Sequence, residues 1–426
     1  MAERQLTTAP HGHVLTNAAV WTPDSEWIVY DTRPDAAGAV FEGKRIERVH
    51  RKTGDVQLLY EAKRGARCGV ATCNPRDERI AFIRGPEFPT IDWSYSADRR
   101  QGIIVETLQP GFGLNLDARD LSPPFTPGAL RGGSHVHIFS PDGAWVSFTY
   151  DDHVLTLLDA AGDRTPHDVN QRNVAVAMPR PVSVPRTHPR NHDGEFFSAV
   201  VTRTVNHPRP GSDDISRAYE EAWIAGGARR SLAFLGDCAG ADGRALTELF
   251  VVELPEDLSR PGDGPLEGTP ARRPAPPAGT VQRRITFTAE RKHPGVFGPR
   301  HWPRSSPDGG LIAFLMRDDE GTVQLWTVPP AGGEPRQATR DSSPVTSAFS
   351  WNPQGTHIAY LADDSVFLVE AATGRARRTT PSTSGTAGPR PEACVFSPDG
   401  RSIALVRPAP VRGGVVNQIH VVDVEL

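Results

Sequence analysis

Short runs of residues that alternate between apolar and polar recur along the chain, each directly after a turn sequence. Trp27–Tyr30, Trp145–Phe148 and Leu311–Phe314 have the period of two that is typical of β-strands. The turn sequence Ser-Pro-Asp-Gly occurs at Ser140–Gly143, Ser306–Gly309 and Ser397–Gly400. In such a turn Pro presets φ, Asp bonds its own backbone and Gly adopts a left-handed conformation. A turn that recurs between strands predicts repeated small sheets.

Degenerate copies of this turn and a third strand after each pair complete the repeat. The copies are Thr22–Ser25, Asn74–Asp77 and Asn352–Gly355. The predicted third strands are Arg45–His50, Gly102–Leu108, Val154–Asp159, Val323–Val328, Ser365–Glu370 and Gln418–Val422. This order of strands predicts an all-β fold, a β-propeller.

The number of blades depends on one irregular stretch, residues 187–254. If it forms one blade with a long insertion, the propeller has seven blades, and if it forms two blades, it has eight. We favour seven, because Arg217–Ile224 has no Pro-Asp-Gly-like turn before it. We expect residues 1–426 to form a single propeller domain with a Pro/Gly-rich surface excursion at 256–280. Gln418–Leu426 should close the ring beside the N-terminal segment.

Composition and charge narrow the classes of partner. The chain has 40 Gly and 40 Pro, which favours turns over long helices. Its net charge of -4 gives no basic footprint for nucleic acid or an anionic membrane. It has no secretory signal at its start, and its four cysteines lack CxxC spacing, which predicts the cytoplasm. We expect a monomer.

One mouth of the propeller should collect the chemically active residues. The Pro-Asp-Gly turn lies at the far end of each inner strand, so the start of that strand and the loop after the second strand share the opposite end. In the third repeat this rule selects His135 and His153 and, as candidates for substrate binding, His137, Tyr150 and Asp152. His135 and His137 should share one strand face, because side chains repeat every second residue.

Two chemistries are open at such a mouth. Neutral histidines with a tyrosine and an arginine suit proton abstraction next to a carboxylate, followed by β-elimination. Alternatively, His and Cys side chains could hold a divalent metal such as Mn, Zn or Ca. When the repeats are aligned on their turns, the candidate metal ligands are His188, His301 and Cys394. Arg203, in the equivalent loop of the irregular stretch, is a candidate for substrate binding.

The turn blocks resemble the TolB-type propeller repeat over nearly the whole chain. Gly132–Val154, Thr202–Ile224 and Gly298–Met316 resemble the YidR-like family of propellers. The first of these blocks is also similar to propeller polysaccharide lyases, namely ulvan lyases and oligogalacturonate lyase. Those enzymes cleave glycans that contain uronic acids by β-elimination, with His, Tyr and Arg and sometimes a metal.

The lyase resemblance implies roles for particular residues and a substrate. His135 and His153 match the paired catalytic histidines, Tyr219 the tyrosine and Arg217 the catalytic arginine, while Arg229 and Arg230 are further candidates to bind the substrate carboxylate. The implied function is an oligosaccharide lyase that acts on acidic, imported oligosaccharides. The alternative is a non-catalytic propeller that binds a peptide, a glycan or a protein.

Overall fold

Seven four-stranded antiparallel sheets form the part of the chain that the structure describes. The computed structural model covers residues 3–35, 37–162, 166–383 and 388–425. In chain order the strands are β1 (Glu3–Gln5), β2 (Gly12–Val14), β3 (Trp27–Arg33), β4 (Arg45–His50), β5 (Val56–Glu61), β6 (Cys68–Cys73), β7 (Arg79–Arg84), β8 (Gln101–Glu106), β9 (Gly113–Asn115), β10 (Gly132–Phe139), β11 (Val146–Asp152), β12 (Asn173–Val182), β13 (Gly194–Val200), β14 (Ile215–Ile224), β15 (Ser231–Ala239), β16 (Ala245–Glu253), β17 (Val281–Arg284), β18 (Arg304–Ser305), β19 (Ile312–Arg317), β20 (Val323–Val328), β21 (Arg336–Gln337), β22 (Ser350–Trp351), β23 (His357–Ala362), β24 (Ser365–Glu370), β25 (Ala376–Arg378), β26 (Cys394–Phe396), β27 (Ser402–Val411) and β28 (Gly414–Asp423).

The sheets are the blades of a seven-bladed β-propeller. Blades 1 to 6 are β2–β5, β6–β9, β10–β13, β14–β17, β18–β21 and β22–β25, and blade 7 is β26–β28 with β1. First strands of neighbouring blades contact one another at several junctions, β6 with β10, β14 with β18, β18 with β22 and β22 with β26, which places them around the central channel. The prediction of seven blades is therefore confirmed, and the alternative of eight is wrong. The irregular stretch supplies the outer strand of blade 3 and most of blade 4.

The ring closes where the two ends of the chain meet in one sheet. Glu3 pairs with Val422 and Gln5 with His420, so β1 is the outer strand of blade 7. This confirms the predicted closure beside the N-terminal segment. Because the outer strand comes from the opposite end of the chain, opening the ring would break a whole strand pairing.

Each Ser-Pro-Asp-Gly turn holds its shape through its own side chains. In blade 3 the Ser140 hydroxyl donates to Asp142 and accepts from the Trp145 N–H at 2.9 Å. Gly143 has φ of +74°, the left-handed region in which glycine is favoured. The turns at Ser306 and Ser397 repeat the same hydrogen bonds. The motif thus ends the inner strand and starts the second strand in register.

The apolar core lies between the blades. Among the described residues, seven buried clusters each join one blade to the next around the ring. Three tryptophans also hydrogen-bond the blades together. Their indole N–H groups donate to a carbonyl of the preceding blade: Trp21 to Val395 at 3.0 Å, Trp223 to Ile138 at 2.9 Å and Trp351 to Arg304 at 2.9 Å.

Two predictions about local structure need correction. Residues predicted as a third strand, Val154–Asp159, belong instead to a helix, α1 (His153–Ala161). Asp152 caps its N-terminus by accepting from the Leu155 N–H at 3.0 Å, and Gly162 ends it with φ of +63°. In the excursion 256–280 the structure has no strand, yet Leu258 and Leu266 are buried in the core between blades 3 and 4.

No helix among the described residues has the length and apolar character needed to cross a bilayer. The helix α1 is only nine residues long, against about 20 residues for a membrane span. This agrees with the sequence, in which no apolar stretch of that length occurs.

Candidate functional site

A cavity of 520 Å³ opens at the end of the channel opposite the Ser-Pro-Asp-Gly turns. Its wall includes Val14, Val70 and Val136 from the inner strands of blades 1 to 3, or from directly beside them. Arginines from several blades also line it, namely Arg33, Arg100, Arg172 and Arg300. Two carboxylates line it as well, Asp31, which pairs with Arg33 at 2.7 Å, and Glu392, so the cavity combines an apolar wall with an excess of cationic groups. This is the donor set expected of a site for an anionic ligand.

Three neighbouring inner strands carry the same distortion beside this cavity. Val70, Val136 and Glu220 have φ of +62°, +58° and +54°, which side chains other than glycine rarely adopt. Each lies where the pairing with the second strand shifts, so each is part of a β-bulge. Such strained backbone persists only where the surrounding structure fixes it, and it is commonly found at functional sites.

His135 is the histidine that reaches the cavity. It is 9% exposed, and its Nε2 lies 3.4 Å from Arg300 Nη2. Its Nδ1 is buried and has no hydrogen-bond partner among the described residues. Burial lowers the pKa of His135 well below its usual value, and the guanidinium groups of Arg100, Arg300 and Arg172 lower it further. The imidazole is therefore neutral at neutral pH and surrounded by positive charge.

Arg300 connects this imidazole to a buried carboxylate. Its Nε donates to Glu220 Oε1 at 2.7 Å, while the guanidinium packs over the Trp302 ring with its centre 4.7 Å from the ring centroid. Burial raises the pKa of Glu220, although Arg300 opposes that shift. Because the Arg300 side chain is 56% exposed, it can exchange its contacts for those of a ligand.

Two carboxylates behind the cavity wall, Asp151 and Glu221, differ in their partners: the first pairs with an arginine and the second does not. Asp151 Oδ2 lies 3.4 Å from Arg172 Nε. Glu221 is fully buried, and Thr149 Oγ1 donates to its Oε2 at 2.9 Å, while its Oε1 has no partner among the described residues. Burial raises the pKa of Glu221 to about 8. A group of this kind is protonated at neutral pH and can donate a proton.

A stack of two arginines and two aromatic rings forms another wall. The Arg33 guanidinium lies 4.9 Å from the Phe41 ring, and Phe41 stacks on Tyr95 with centroids 4.7 Å apart. Arg100 packs against the other side of this unit, and its Nε donates to the Tyr95 hydroxyl at 2.9 Å. Burial raises the pKa of Tyr95, so its hydroxyl keeps its proton at neutral pH. The Arg100 Nη1 is buried without a partner among the described residues.

Arg304 crosses the channel below the cavity. It begins blade 5, yet its Nη2 donates to the carbonyl and side-chain oxygens of Asn17 beside blade 1, the former at 3.2 Å. Burial lowers its pKa to about 10, against the attraction of Glu220 and Glu221. Residues of the opposite opening, Arg304 among them, line a second space of 340 Å³. The Arg304–Asn17 contact thus separates the cavity from the far end of the channel.

Three residues predicted to bind substrate, His137, Tyr150 and Asp152, do not line the cavity. His137 is fully buried and does not share the face of His135, because the bulge at Val136 breaks the alternation on which that prediction depended. Its pKa falls to about 3 through burial. Tyr150 is 1% exposed in the core between blades 2 and 3. Asp152 caps α1 and accepts from Arg131 Nε at 2.7 Å.

His153 lies at the predicted mouth but is held apart from His135. Its Nδ1 lies 2.6 Å from Asp98 Oδ2, and its ring packs edge-on against Trp93. Burial alone would raise the pKa of Asp98, but hydrogen bonds from His153 and Ser96 lower it to about 2. His135 pairs with Thr149, and His153 lies four residues beyond Thr149, so roughly 13 Å separates the two histidines along the chain direction of β11.

Tyr219 and Arg217 form their own network on blade 4. The Tyr219 hydroxyl donates to Asp237 Oδ1 at 2.8 Å, and Arg217 Nη1 lies 3.4 Å from the other oxygen of that carboxylate. The Arg217 guanidinium covers the Tyr219 ring at 4.9 Å. Burial, followed by the Asp237 charge, raises the pKa of Tyr219. Neither residue lines the cavity that contains His135.

The other three predicted binding arginines lie elsewhere on the molecule. Arg203 pairs with Asp263 of the excursion at 2.7 Å. Arg229 and Arg230 line a groove of 780 Å³ on the face that carries the Ser-Pro-Asp-Gly turns, where Arg230 pairs with Asp142. That face is opposite the mouth, because the β14–β15 connection occupies the position of a Ser-Pro-Asp-Gly turn.

The predicted metal ligands His188, His301 and Cys394 are not brought together. His188 lies beside Trp93, with ring centroids 6.4 Å apart. Both ring nitrogens of His301 are hydrogen-bonded to backbone, Nδ1 to the Pro299 carbonyl at 2.9 Å and Nε2 to the Leu315 N–H at 3.2 Å. Cys394 is buried in the core between blades 6 and 7. Among the described residues, the metal-ligand side chains that do come together are a different group, His11, His13 and Glu47.

Sequence reasoning missed most of the residues that line the cavity. The rule that places the loop after a second strand at the mouth, applied to blade 2, would have selected Tyr95 and Arg100. Arg300 directly precedes His301, shortly before the inner strand β18, and Arg300 rather than His301 faces the cavity. The bulges at Val70 and Val136 have no signal in the sequence, since both positions are occupied by β-branched residues that favour regular strands.

The comparisons with known proteins agree with this architecture. The family model described as "Protein of unknown function (DUF3748)" matches residues 67–192. "Oligogalacturonate lyase in complex with manganese" superposes with a TM-score of 0.56 at 11% identity, covering 99% of this chain and 93% of that one. Oligogalacturonate lyase from Vibrio parahaemolyticus gives a TM-score of 0.55 at 11% identity over the same shares. At such identities these likenesses show the fold alone.

The seven blades and the closure of the ring define a seven-bladed β-propeller. The "Uncharacterized protein YidR" of Escherichia coli (strain K12) is 48% identical to this chain over 408 residues, which is 95% of this chain and 94% of that protein. The chain belongs to the YidR family, as its sequence motifs predict.

Proposed function

We propose that this protein is a lyase that cleaves acidic oligosaccharides by β-elimination in the 520 Å³ cavity that His135 lines, here called the funnel cavity. The observation that carries the proposal is the contact between the neutral imidazole of His135 and Arg300, in a cavity lined by Arg100 and Arg172. A uronate carboxylate would take the place of Glu220 on Arg300, and charge-assisted pairing with arginine favours that exchange. The likeness in fold to oligogalacturonate lyase supports the proposal.

The reaction needs a base, a stabilised anion and an acid. His135 Nε2 takes the proton from the carbon next to the carboxylate, and the carbon–hydrogen electrons form the new double bond as the β carbon–oxygen bond breaks. Arg300 and Arg100 stabilise the negative charge that develops on the carboxylate. The Tyr95 hydroxyl, which accepts from Arg100 and keeps its own proton, protonates the leaving sugar oxygen.

The test is to mix the purified chain with a panel of uronate oligosaccharides and to record the ultraviolet absorbance of the unsaturated uronate product. The panel is run with a chelator and with added Mn²⁺, since manganese is present in one of the superposed lyases. A rise that depends on His135 supports the proposal. A flat trace from folded protein across the panel contradicts it.

One observation favours the alternative of a non-catalytic binding propeller. His153, the second histidine of the implied catalytic pair, is fixed against Asp98 and Trp93 and leaves the cavity with a single imidazole. Such a propeller would bind a carboxylated glycan through the same arginines without turnover. Calorimetric binding of an oligosaccharide that yields no product would select this function.

A further inference from the structure

A second cluster of reactive side chains lies on the opposite face of blade 1 from the cavity. Asp31 and Arg33 of β3 face the cavity, so the intervening side chains of that strand face blade 7. His13 pairs with Thr32 and therefore lies on this second face. Ligand atoms of His11, His13 and Glu47 all lie within 4.8 Å of one another there. This group has no part in the chemistry of the funnel.

His13 is held in the form that binds a metal. Its Nδ1 lies 3.2 Å from the Asn417 carbonyl of blade 7, so Nδ1 carries the proton and Nε2 presents its lone pair. The residue is 0% exposed, and Nε2 has no partner among the described residues. Burial, with a smaller contribution from His11, lowers the pKa of His13 to about 3. A histidine whose other nitrogen is fixed by a carbonyl is the usual arrangement around protein-bound zinc.

The other two ligands are also prepared. His11 Nε2 is buried without a partner among the described residues. The Tyr30 hydroxyl donates to Glu47 Oε2 at 2.9 Å, which orients the carboxylate, while Oε1 has only a long contact of 4.0 Å with Arg45 Nη1 that a metal ion would replace. Ring centroids of His11 and His13 lie 5.0 Å apart, so the two imidazoles converge. Two imidazoles and one carboxylate form a donor set that Zn²⁺ favours.

A fourth donor lies on the neighbouring blade. Gln418 donates its amide Nε2 to the carbonyl of Ala9 at 2.9 Å and to that of His11 at 3.3 Å. Its Oε1 is buried without a hydrogen bond of good geometry among the described residues, and the amide lies close enough to interact with the His13 imidazole. An orphaned buried oxygen costs about 1–3 kcal/mol unless something satisfies it, and a cation beside the histidines would do so.

We propose that His11, His13 and Glu47 bind a divalent transition metal of the Zn²⁺ type at the junction of blades 1 and 7. Zinc bonds of about 2.0–2.2 Å require the three side chains to close by roughly an ångström. Blade 7 supplies Asn417 and Gln418 around the ion, so binding ties the two blades together where the ring is closed. The site depends on neither the lyase function nor the binding function.

The test is metal binding to the intact chain after treatment with a chelator. Titration of the metal-free protein with ZnCl₂ is followed by calorimetry, and bound zinc is counted by mass spectrometry. We expect one zinc ion per chain, and a loss of affinity of at least about tenfold in His11→Ala and in Glu47→Gln. Zinc should raise the melting temperature of the wild type and not that of these variants.

The matched control is His50→Ala, which removes a histidine of the same blade that pairs with Glu26 outside the cluster. It should bind zinc as the wild type does. Glu47→Gln preserves size, and circular dichroism of each variant shows that the propeller has folded. Absence of saturable zinc binding in the wild type, or equal affinity in folded His11→Ala and Glu47→Gln, overturns the proposal.

Discussion

Arg300 Nη2 lies 3.4 Å from His135 Nε2, and the same guanidinium donates to Glu220 at 2.7 Å. Arg300 therefore already binds one carboxylate, that of Glu220, while its Nη2 lies close to the imidazole nitrogen of His135. Under the proposed lyase function, a ligand carboxylate that replaced Glu220 would draw the guanidinium toward itself and leave Nε2 free to accept a proton. Substrate binding and activation of the base would then be coupled through one side chain.

Replacing His135 by glutamine should remove the base while preserving polarity and approximate size. We expect kcat on a uronate oligosaccharide to fall by about 10²–10⁴, with little change in KM. Initial rates of formation of the unsaturated product provide the measurement. The control is His207→Gln, which alters an exposed histidine of the β13–β14 loop. Equal losses in His135→Gln and His153→Gln would favour the paired histidines that the lyase resemblance implies.

Replacing Arg300 by methionine should change both binding and the acid limb of the pH–rate profile. The guanidinium is one of the charges that lower the pKa of His135. Without it that pKa rises, so protonation inactivates the base at a higher pH. We expect the acid limb of kcat/KM to move upward by roughly one pH unit and KM to rise roughly tenfold.

Arg244→Met, in the exposed β15–β16 turn, is the matched control and should leave both quantities unchanged. An acid limb that stays in place in Arg300→Met would show that His135 is not the group that titrates.

The fold could be predicted from the sequence because its determinants are local. The hydrogen bonds and the positive φ that a turn such as Ser140–Gly143 needs are supplied by its own hydroxyl, carboxylate and glycine. Its four residues are therefore enough to predict it. The pairing of β1 with β28 follows in turn from the need to cover two exposed edges. The helix at His153–Ala161 was missed, although its Asp152 cap and Gly162 end are both standard signals.

The site was predicted less well, because its geometry depends on non-local contacts. His135 was identified, but its separation from His137 results from a bulge that requires the neighbouring blades to hold Val136 in a left-handed conformation. Arginines such as Arg230 could not be assigned to a face until the blade boundary at β14 was known. The raised pKa of Glu221 could not be predicted from the sequence, because it results from burial, and only the assembled ring buries this carboxyl.

Tyr219→Phe should affect stability rather than turnover. The hydroxyl donates to Asp237 and lies outside the funnel cavity. We expect a loss of about 0.5–1.5 kcal/mol in the free energy of unfolding, measured by urea denaturation, and a kcat close to that of the wild type. A fall in kcat without a change in binding would instead give Tyr219 the proton-transfer role that the resemblance implies.

Phe139→Ala and Phe396→Ala should each destabilise the junction of two blades. Phe139 is 4% exposed between blades 2 and 3, and Phe396 is 6% exposed between blades 6 and 7. Removing a buried phenyl ring leaves a cavity, so we expect a loss of about 3–5 kcal/mol in each case. The exposed Phe112 provides the control, because Phe112→Ala removes a side chain that is 63% exposed. If the loss of unfolding free energy in either variant equalled that of the control, that ring would not contribute to the packing between its two blades.

His137 should make the folded propeller sensitive to acid. Burial lowers its pKa to about 3, whereas in the unfolded chain the pKa is about 6.5. Between these values the unfolded chain binds a proton that the folded chain excludes, so stability falls as the pH falls. The expected contribution is about 1.4 kcal/mol per pH unit, measured from urea midpoints between about pH 6 and pH 4. His137→Gln should reduce the slope by that amount whatever its own stability, and an unchanged slope would mean that His137 is protonated in the folded state.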